Sequence, residues 1–292
     1  VYSDYRYENI TLDGIYKEGG FDGHLALDDE NGAIQIDGHF NTTKKVSDFN
    51  LRASVKKLRP NKLHWSDKYV DADISLNLMA DFTGSSIDDM NGSIRLDSLV
   101  MNAPDNQGYT LDNLTITAGS IEGEKEIQIL APFITAIVRG DYSYQTIPNS
   151  ALHILQQYIP SLVSLKNTKK QPNNNFNFDI QLRDAELLRK MLYVPLEVRI
   201  PASLRGYVND REGLLRLEGS FPHIIYNGTH YESASILCEN PSEDFNCSLR
   251  GSMLMNSGAM LNFSMDAQAA QDRLKTTLNW GNNTDVTYGG QV

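Results

Sequence analysis

Long apolar runs are missing from this chain of 292 residues. The longest, Ile129 to Val138, is half of the about 20 residues that a membrane-spanning helix needs, and Pro132 interrupts it. No transmembrane segment and no signal peptide are expected within it. The first residue is Val1, which reads as a processed chain or a fragment. Cysteine is scarce, with only Cys238 and Cys247. Two are too few for a disulfide scaffold, and their spacing is not that of a zinc site. They flank the turn-rich stretch 239–244, so a symmetric hairpin would set them opposite each other. That is a disulfide in an oxidising compartment and otherwise a pair of small buried side chains. Positive charge is also short: 26 Lys and Arg against 37 Asp and Glu, net −11. Nucleic-acid binding, which neutralises phosphates with basic surface, is not expected.

Catalytic signatures are absent as well. There is no Gly-x-Ser-x-Gly elbow, no phosphate-binding loop and no His-Glu-x-x-His. The six histidines (His24, His39, His64, His153, His223 and His230) are scattered, with no His-x-x-x-His pair. They read as solvated or hydrogen-bonded side chains, so no metal or cofactor is expected. The carboxylates cluster at turns (Asp28, Asp29, Glu30, Asp88, Asp89, Asp210, Glu212), where they bond local backbone. A basic cluster, Arg52, Lys56, Lys57, Arg59 and Lys62, reads as an exposed strand edge or as a contact for lipid phosphates. Nothing points to an enzyme.

What is present is alternation with a period of two. It places Ile34, Ile36 and Phe40 on one face, then Ile74, Leu76, Leu78 and Phe82, then Ile94 and Leu96. Phe176, Phe178, Ile180 and Leu182 repeat the pattern. So do Leu215 and Leu217, Leu249 and Met253, and Leu261, Phe263 and Met265. Such strands have one apolar and one wetted face, and antiparallel pairing suits them better than parallel. Three related stretches, beginning at Asp28, Asp88 and Asn209, each run through Gly32, Gly92 or Gly213 into an alternating strand. Asn31-Gly32 and Asn91-Gly92 suit tight hairpins.

Two helices interrupt the strands. Asn149 or Ser150 caps the first, which Pro160 ends. Asp184 caps the second, 185–192. Between them 166–175 is polar, basic and linker-like. The expected organisation is a first β segment 1–148, a helix–linker–helix interruption 149–195, and a second β segment 196–292 that continues the sheet. The fold class is all-β: an elongated, curved antiparallel sheet of groove or taco shape, or else a sandwich.

The runs Asp73–Gly84, Ser86–Asp97 and Tyr109–Ile116 resemble the periplasmic repeats of TamB-type proteins of the AsmA-like group, as found in Bacteroides-type bacteria. Asn175–Leu188, Val194–Glu197 and Ala202–Tyr207 are similar. The resemblance spans about residues 25 to 280. It implies a long sheet curled into a groove with a hydrophobic inner face, in a periplasmic stretch of a protein anchored in the inner membrane. It also implies partnership with a TamA-like outer-membrane barrel assembly protein through parts outside this chain, and a part in protein translocation, outer-membrane assembly and phospholipid transport. No catalytic residues carry over. In such a groove the lining is Ile34, Ile36, Ile74, Leu76, Leu78, Phe82, Ile94, Leu96, Phe176, Phe178, Ile180, Leu215, Leu217, Leu249, Met253, Leu261, Phe263 and Met265. In a closed fold the same side chains fill a core. The alternative function is a surface or periplasmic β-domain that binds glycans or proteins, adhesin-like, with Tyr2, Tyr5, Tyr7, Trp65 and Tyr69 as an aromatic platform. A polysaccharide-processing β enzyme is a third reading.

Overall fold

A computed structural model describes residues 4–41, 46–104, 108–163, 172–282 and 287–291. The described residues form antiparallel strands and two short helices, as the alternation requires. By their internal contacts they divide into two units, Val1–Ser120 with Ile127–Pro132, and Ile121–Glu126 with Phe133–Val292.

The first unit is a meander of β1 (Ile10–Lys17), β2 (Gly20–Asp29), β3 (Gly32–Asn41), β4 (Asp48–Leu58), β5 (Asp73–Thr83), β6 (Asn91–Asn102) and β7 (Tyr109–Ile121). Each strand pairs antiparallel with the next. The register lines the apolar residues into rows across the strands. One row runs Leu12, Leu25, Ile36, Ala53, Leu78, Leu96, Leu114. Another runs Tyr16, Phe21, Phe40, Phe49, Phe82. Phe49 and Phe82 stack at 4.8 Å between ring centroids, and Phe21 meets Phe40 at 5.6 Å. Cross-strand aromatic pairs of this kind hold a sheet in register. Beside them Gly23 is required, because a Cβ there would overlap the Phe21 ring. Register shifts at Ala33/Ile34, Val55/Leu58 and Ser75/Asn77 fall on successive strand pairs. Such bulges bend the strands that carry them.

β8 (Glu124–Ala131) is divided between the units. The second unit holds β9 (Ile134–Asp141), β10 (Asn175–Leu182), β11 (Leu196–Ile200), β12 (Ala202–Asn209), β13 (Leu214–Tyr226), β14 (Thr229–Glu239), β15 (Phe245–Leu254), β16 (Met260–Ala270), β17 (Arg273–Gly281) and β18 (Thr287–Gln291). β10 pairs with β9 on one side and β12 on the other. From β12 each strand pairs with the next to β18. β11 pairs with the far half of β13. Again rows form: Ala136, Ile180, Leu204, Gly219, Ile236, Leu249, Met265, Leu278. The Phe178 ring lies over Gly206, where any Cβ would also strike the Arg216 carbonyl.

The helices are α1 (Ile147–Tyr158) and α2 (Glu186–Leu192). α1 starts earlier than a cap at Asn149 or Ser150 predicts, because Pro148 suits a first helical turn and Thr146 takes the cap position. In α2 the Asp184 carboxylate accepts the Glu186 N–H at 2.5 Å, although Ala185 stands at the cap. The stretch 149–195 is interrupted by β10, which is fully integrated in the sheet. Of the linker-like run, 166–171 lies outside the described residues. Its described end is no linker, since Pro172 and Asn174 are buried.

Two local expectations need correction. Asn31-Gly32 and Asn91-Gly92 are not the central residues of tight hairpin turns. The Asp29 carboxylate accepts the Asn31 N–H at 2.9 Å and turns the chain without help from Gly32. Gly92 lies inside β6, after a 3-10 turn at Ile87–Asp89. Only Gly213 has the expected turn geometry, at φ 67°. The basic cluster, in turn, is not on a sheet edge, because β4 has β3 on one side and β5 on the other. Two of its charges have carboxylate partners: Arg59 pairs with Asp73 at 3.2 Å and Lys62 with Asp71 at 3.0 Å.

Candidate functional site

The strongest candidate is the apolar face of each unit. Three of the eighteen expected lining residues, Ile74, Phe176 and Leu215, are buried at 5% exposure. The other fifteen are half-buried. Central rows of a sandwich would be almost fully covered, because a second layer lies on them. Here rows such as Ile36, Leu78 and Leu96 keep part of their surface in solvent.

Each face is closed at one end. In the first unit the β4–β5 connection folds over the starts of β3 and β5. Leu63 is fully buried there, with a methyl beside Leu27 close to the Gly32 position, and Ile74 and Met101, paired at this end of β5 and β6, are buried too. The Tyr7 hydroxyl donates to the Leu63 carbonyl at 3.1 Å, and Trp65 Nε1 donates to Tyr7 at 2.6 Å. The Tyr5 hydroxyl donates to Asp29 at 2.5 Å. Tyr5, Tyr7 and Trp65 are thus hydrogen-bonded into this closure, with the Trp65 ring still exposed and Tyr69 half-buried; Tyr2 lies outside the described residues.

In the second unit α1 makes the closure. Ile154 is fully buried, and at this end of the strands Phe176, Val208 and Leu215 are buried too. Polar side chains tie the helix to three turns. Ser150 Oγ donates to Asp210 at 2.7 Å, the Asn174 N–H donates to the same carboxylate at 2.9 Å, and His153 stands 3.3 Å from it. Asn240 donates to the Tyr158 hydroxyl at 2.7 Å, and the Asp272 N–H donates to the Tyr158 carbonyl at 2.8 Å.

The opposite ends are rimmed by aromatic rings. Phe21, Phe40, Phe49 and Phe82 stand there in the first unit. In the second, Phe263 faces Trp280, which stacks on Tyr288 at 6.3 Å. Trp280 and Tyr288 are exposed.

Polar chemistry is structural in what can be seen of it. Ser150, His153 and Asp210 come together, but the carboxylate lies between hydroxyl and imidazole, whereas a nucleophilic triad needs the imidazole in the middle. His24 pairs with Asp37, and His39 bridges Asp22 and Asp48 at 3.0 and 2.8 Å across three strands. Among the described residues no three ligating side chains stand close enough to share a metal ion. Cys238 and Cys247 are directly opposed on β14 and β15 and joined as a disulfide.

Alternation along the chain groups the expected lining residues as the strand register does, in rows on one face of each unit. It does not find Leu63 or Ile154, which sit in a loop and a helix. Their only signal is an apolar residue within a polar stretch that follows a strand.

Two outcomes follow. Asp210→Ala leaves the buried Ser150 hydroxyl and the Asn174 N–H without their acceptor. It is expected to destabilise the chain by roughly 2–4 kcal/mol in urea unfolding, with faster amide exchange in α1. Burial alone would raise the Asp29 carboxyl, but hydrogen bonds from Tyr5, Asn31 and Glu8 hold it below its ordinary value. Its folded pKa is thus depressed, so its stabilisation is present above the ordinary carboxylate pKa and lost as pH falls through the lowered one. Trp65 fluorescence is expected to change over that acidic window in the wild type and to lose this transition in Asp29→Asn. Comparison of the chain with family models, curated proteins and solved structures finds no match.

Proposed function

We propose that the chain is a non-enzymatic segment that shelters phospholipid acyl chains on its apolar faces, within a periplasmic, inner-membrane-anchored protein of TamB type. The observation that carries this reading is the half-covered state of the apolar rows. Side chains such as Leu78, Leu96, Phe178 and Ile180 are aligned, apolar and still reached by solvent. An acyl chain laid across them leaves water at about 0.8 kcal/mol per buried CH₂. Such a ligand needs no polar constellation to hold it. The aromatic rims give the chain's entry a surface of rings, and the closures around Leu63 and Ile154 stop it at the other end. The sequence resemblance supports the same role in phospholipid transport and outer-membrane assembly beside a TamA-like barrel protein.

The adhesin-like alternative would draw on exposed aromatics for glycans or proteins, of which Trp65 keeps an exposed ring while Tyr5 and Tyr7 are half-buried.

The test is native mass spectrometry of the purified chain after incubation with phosphatidylethanolamine vesicles, with Leu78→Asp and Phe178→Asp placed on the apolar faces. Asn77→Asp and Asn177→Asp, on the neighbouring exposed positions, serve as controls. Phospholipid is expected on the wild type and the controls. It should be lost at least tenfold from the two apolar-face variants while their circular dichroism stays that of a folded sheet. A lipid-free wild type, or equal binding by all variants, contradicts the proposal.

A further inference from the structure

We propose that His223, His230 and Glu232 hold a divalent transition-metal ion on the β13–β14 hairpin, on the same side of the sheet as Leu217 and Ile236. The hairpin turns at Asn227-Gly228, with φ 50° and 80°, and its register is unbroken through both histidines. His223 stands directly opposite Glu232, and His230 stands opposite Ile225. His223 and His230 are therefore diagonal neighbours on one face, a distance that long side chains bridge. Their rings have turned to each other, with centroids 5.7 Å apart and His223 Nε2 at 3.4 Å from His230 Nδ1.

That distance is long for a hydrogen bond from a ring N–H, which prefers 2.7–3.2 Å. It suits chelation. Two imidazole nitrogens, each about 2.0–2.1 Å from a tetrahedral zinc ion, lie about 3.4 Å apart. Both histidines are half-buried, so part of the cost of ordering them is already met by packing. Three other histidines face carboxylates, His24 with Asp37, His39 with Asp22 and Asp48 and His153 with Asp210, while His64 packs against the Tyr5 ring. Only His223 and His230 face each other. Glu232 is exposed and makes no ion pair with a described residue. As the side chains stand, only the two histidines are within reach of one ion; binding requires the Glu232 carboxylate, directly opposite His223, to turn toward the rings, giving two nitrogens and one oxygen with water completing the shell. This donor set favours Zn²⁺, Ni²⁺ or Cu²⁺ over Mg²⁺ and Ca²⁺.

The location gives the ion a structural task. Immediately beyond Glu232 the ladder to β15 slips between Glu232 and Ser235, with Ser233 at φ 50°. On the other side the ladder of β11 to β13 slips between Val198 and Ile200, where Ile200 faces His223. A metal bridging β13 and β14 fastens the sheet where its neighbours on both sides lose register. Sequence spacing hides the site, because the ligands are seven and nine residues from His223 along the chain and become neighbours only through the hairpin.

The experiment is isothermal titration of Zn²⁺ into the full chain at pH 7.5, with His223→Gln, His230→Gln, Glu232→Gln and, as a control, His39→Gln. One equivalent is expected for the wild type and for His39→Gln. Each of the other three variants should weaken binding at least tenfold, with circular dichroism confirming that they remain folded. X-ray absorption of the unmodified chain with Zn²⁺ is expected to show two imidazole nitrogens, a reading that needs no variant. Absence of stoichiometric binding, undiminished affinity in His223→Gln or His230→Gln, or a shell of oxygen alone overturns the site. Undiminished affinity in Glu232→Gln removes the carboxylate from it.

Discussion

A sheet with one apolar face must cover that face or leave it to another molecule. This constraint governs the rest of the structure. Both units build their apolar rows by straightforward antiparallel pairing, and among the described residues little non-strand chain lies against them. One connection of the first unit and α1 of the second are the closures, and each covers only the end of the rows nearest to it. Burial follows: Leu63 and Ile154 are sealed, and most side chains farther along the strands are half-covered.

The polar groups are spent on holding this geometry. At one closure they form the hydrogen bonds from Tyr5 to Asp29 and from Trp65 through Tyr7 to Leu63. At the other they form the buried cluster of Ser150, Asn174 and Asp210. On the wetted faces the charged groups pair across strands, as in Arg205 with Glu218 at 2.8 Å and Arg250 with Asp266 at 3.1 Å. The Arg205–Glu218 contact holds the Glu218 carboxyl below its usual range. Both partners are exposed, and exposed pairs of this kind set register more than they add stability. The hydroxyl of Ser150 and the imidazole of His153 are both committed to the Asp210 carboxylate.

Much of this is legible along the chain because a strand's side-chain period is exact at short range. Ile34, Ile36, Leu76, Leu78, Phe176 and Phe178 are assigned to one face by alternation alone, and the opposed cysteines follow from the symmetry of their hairpin. What alternation cannot carry is pairing at a distance. That β4 is an interior strand depends on β5, and the Lys-rich stretch 56–62 misleads because exposed lysines mark the wetted face of an interior strand as readily as an edge. Turn glycines mislead for a related reason, since the Asp29 side chain takes over the turn that Gly32 was expected to make. The diagonal pair of His223 and His230 is likewise a product of register, invisible to spacing.

The central claim is that the apolar rows are open to a ligand. Its most direct test is maleimide labelling of single cysteines introduced as Leu78→Cys, Phe178→Cys and, as a sealed reference, Ile154→Cys, with the native pair left oxidised. The account predicts that Leu78→Cys and Phe178→Cys label much faster than Ile154→Cys in the folded, lipid-free chain, and that phospholipid vesicles slow both. Protection of all three to the same extent before lipid is added would contradict it, because the rows would then be an ordinary covered core.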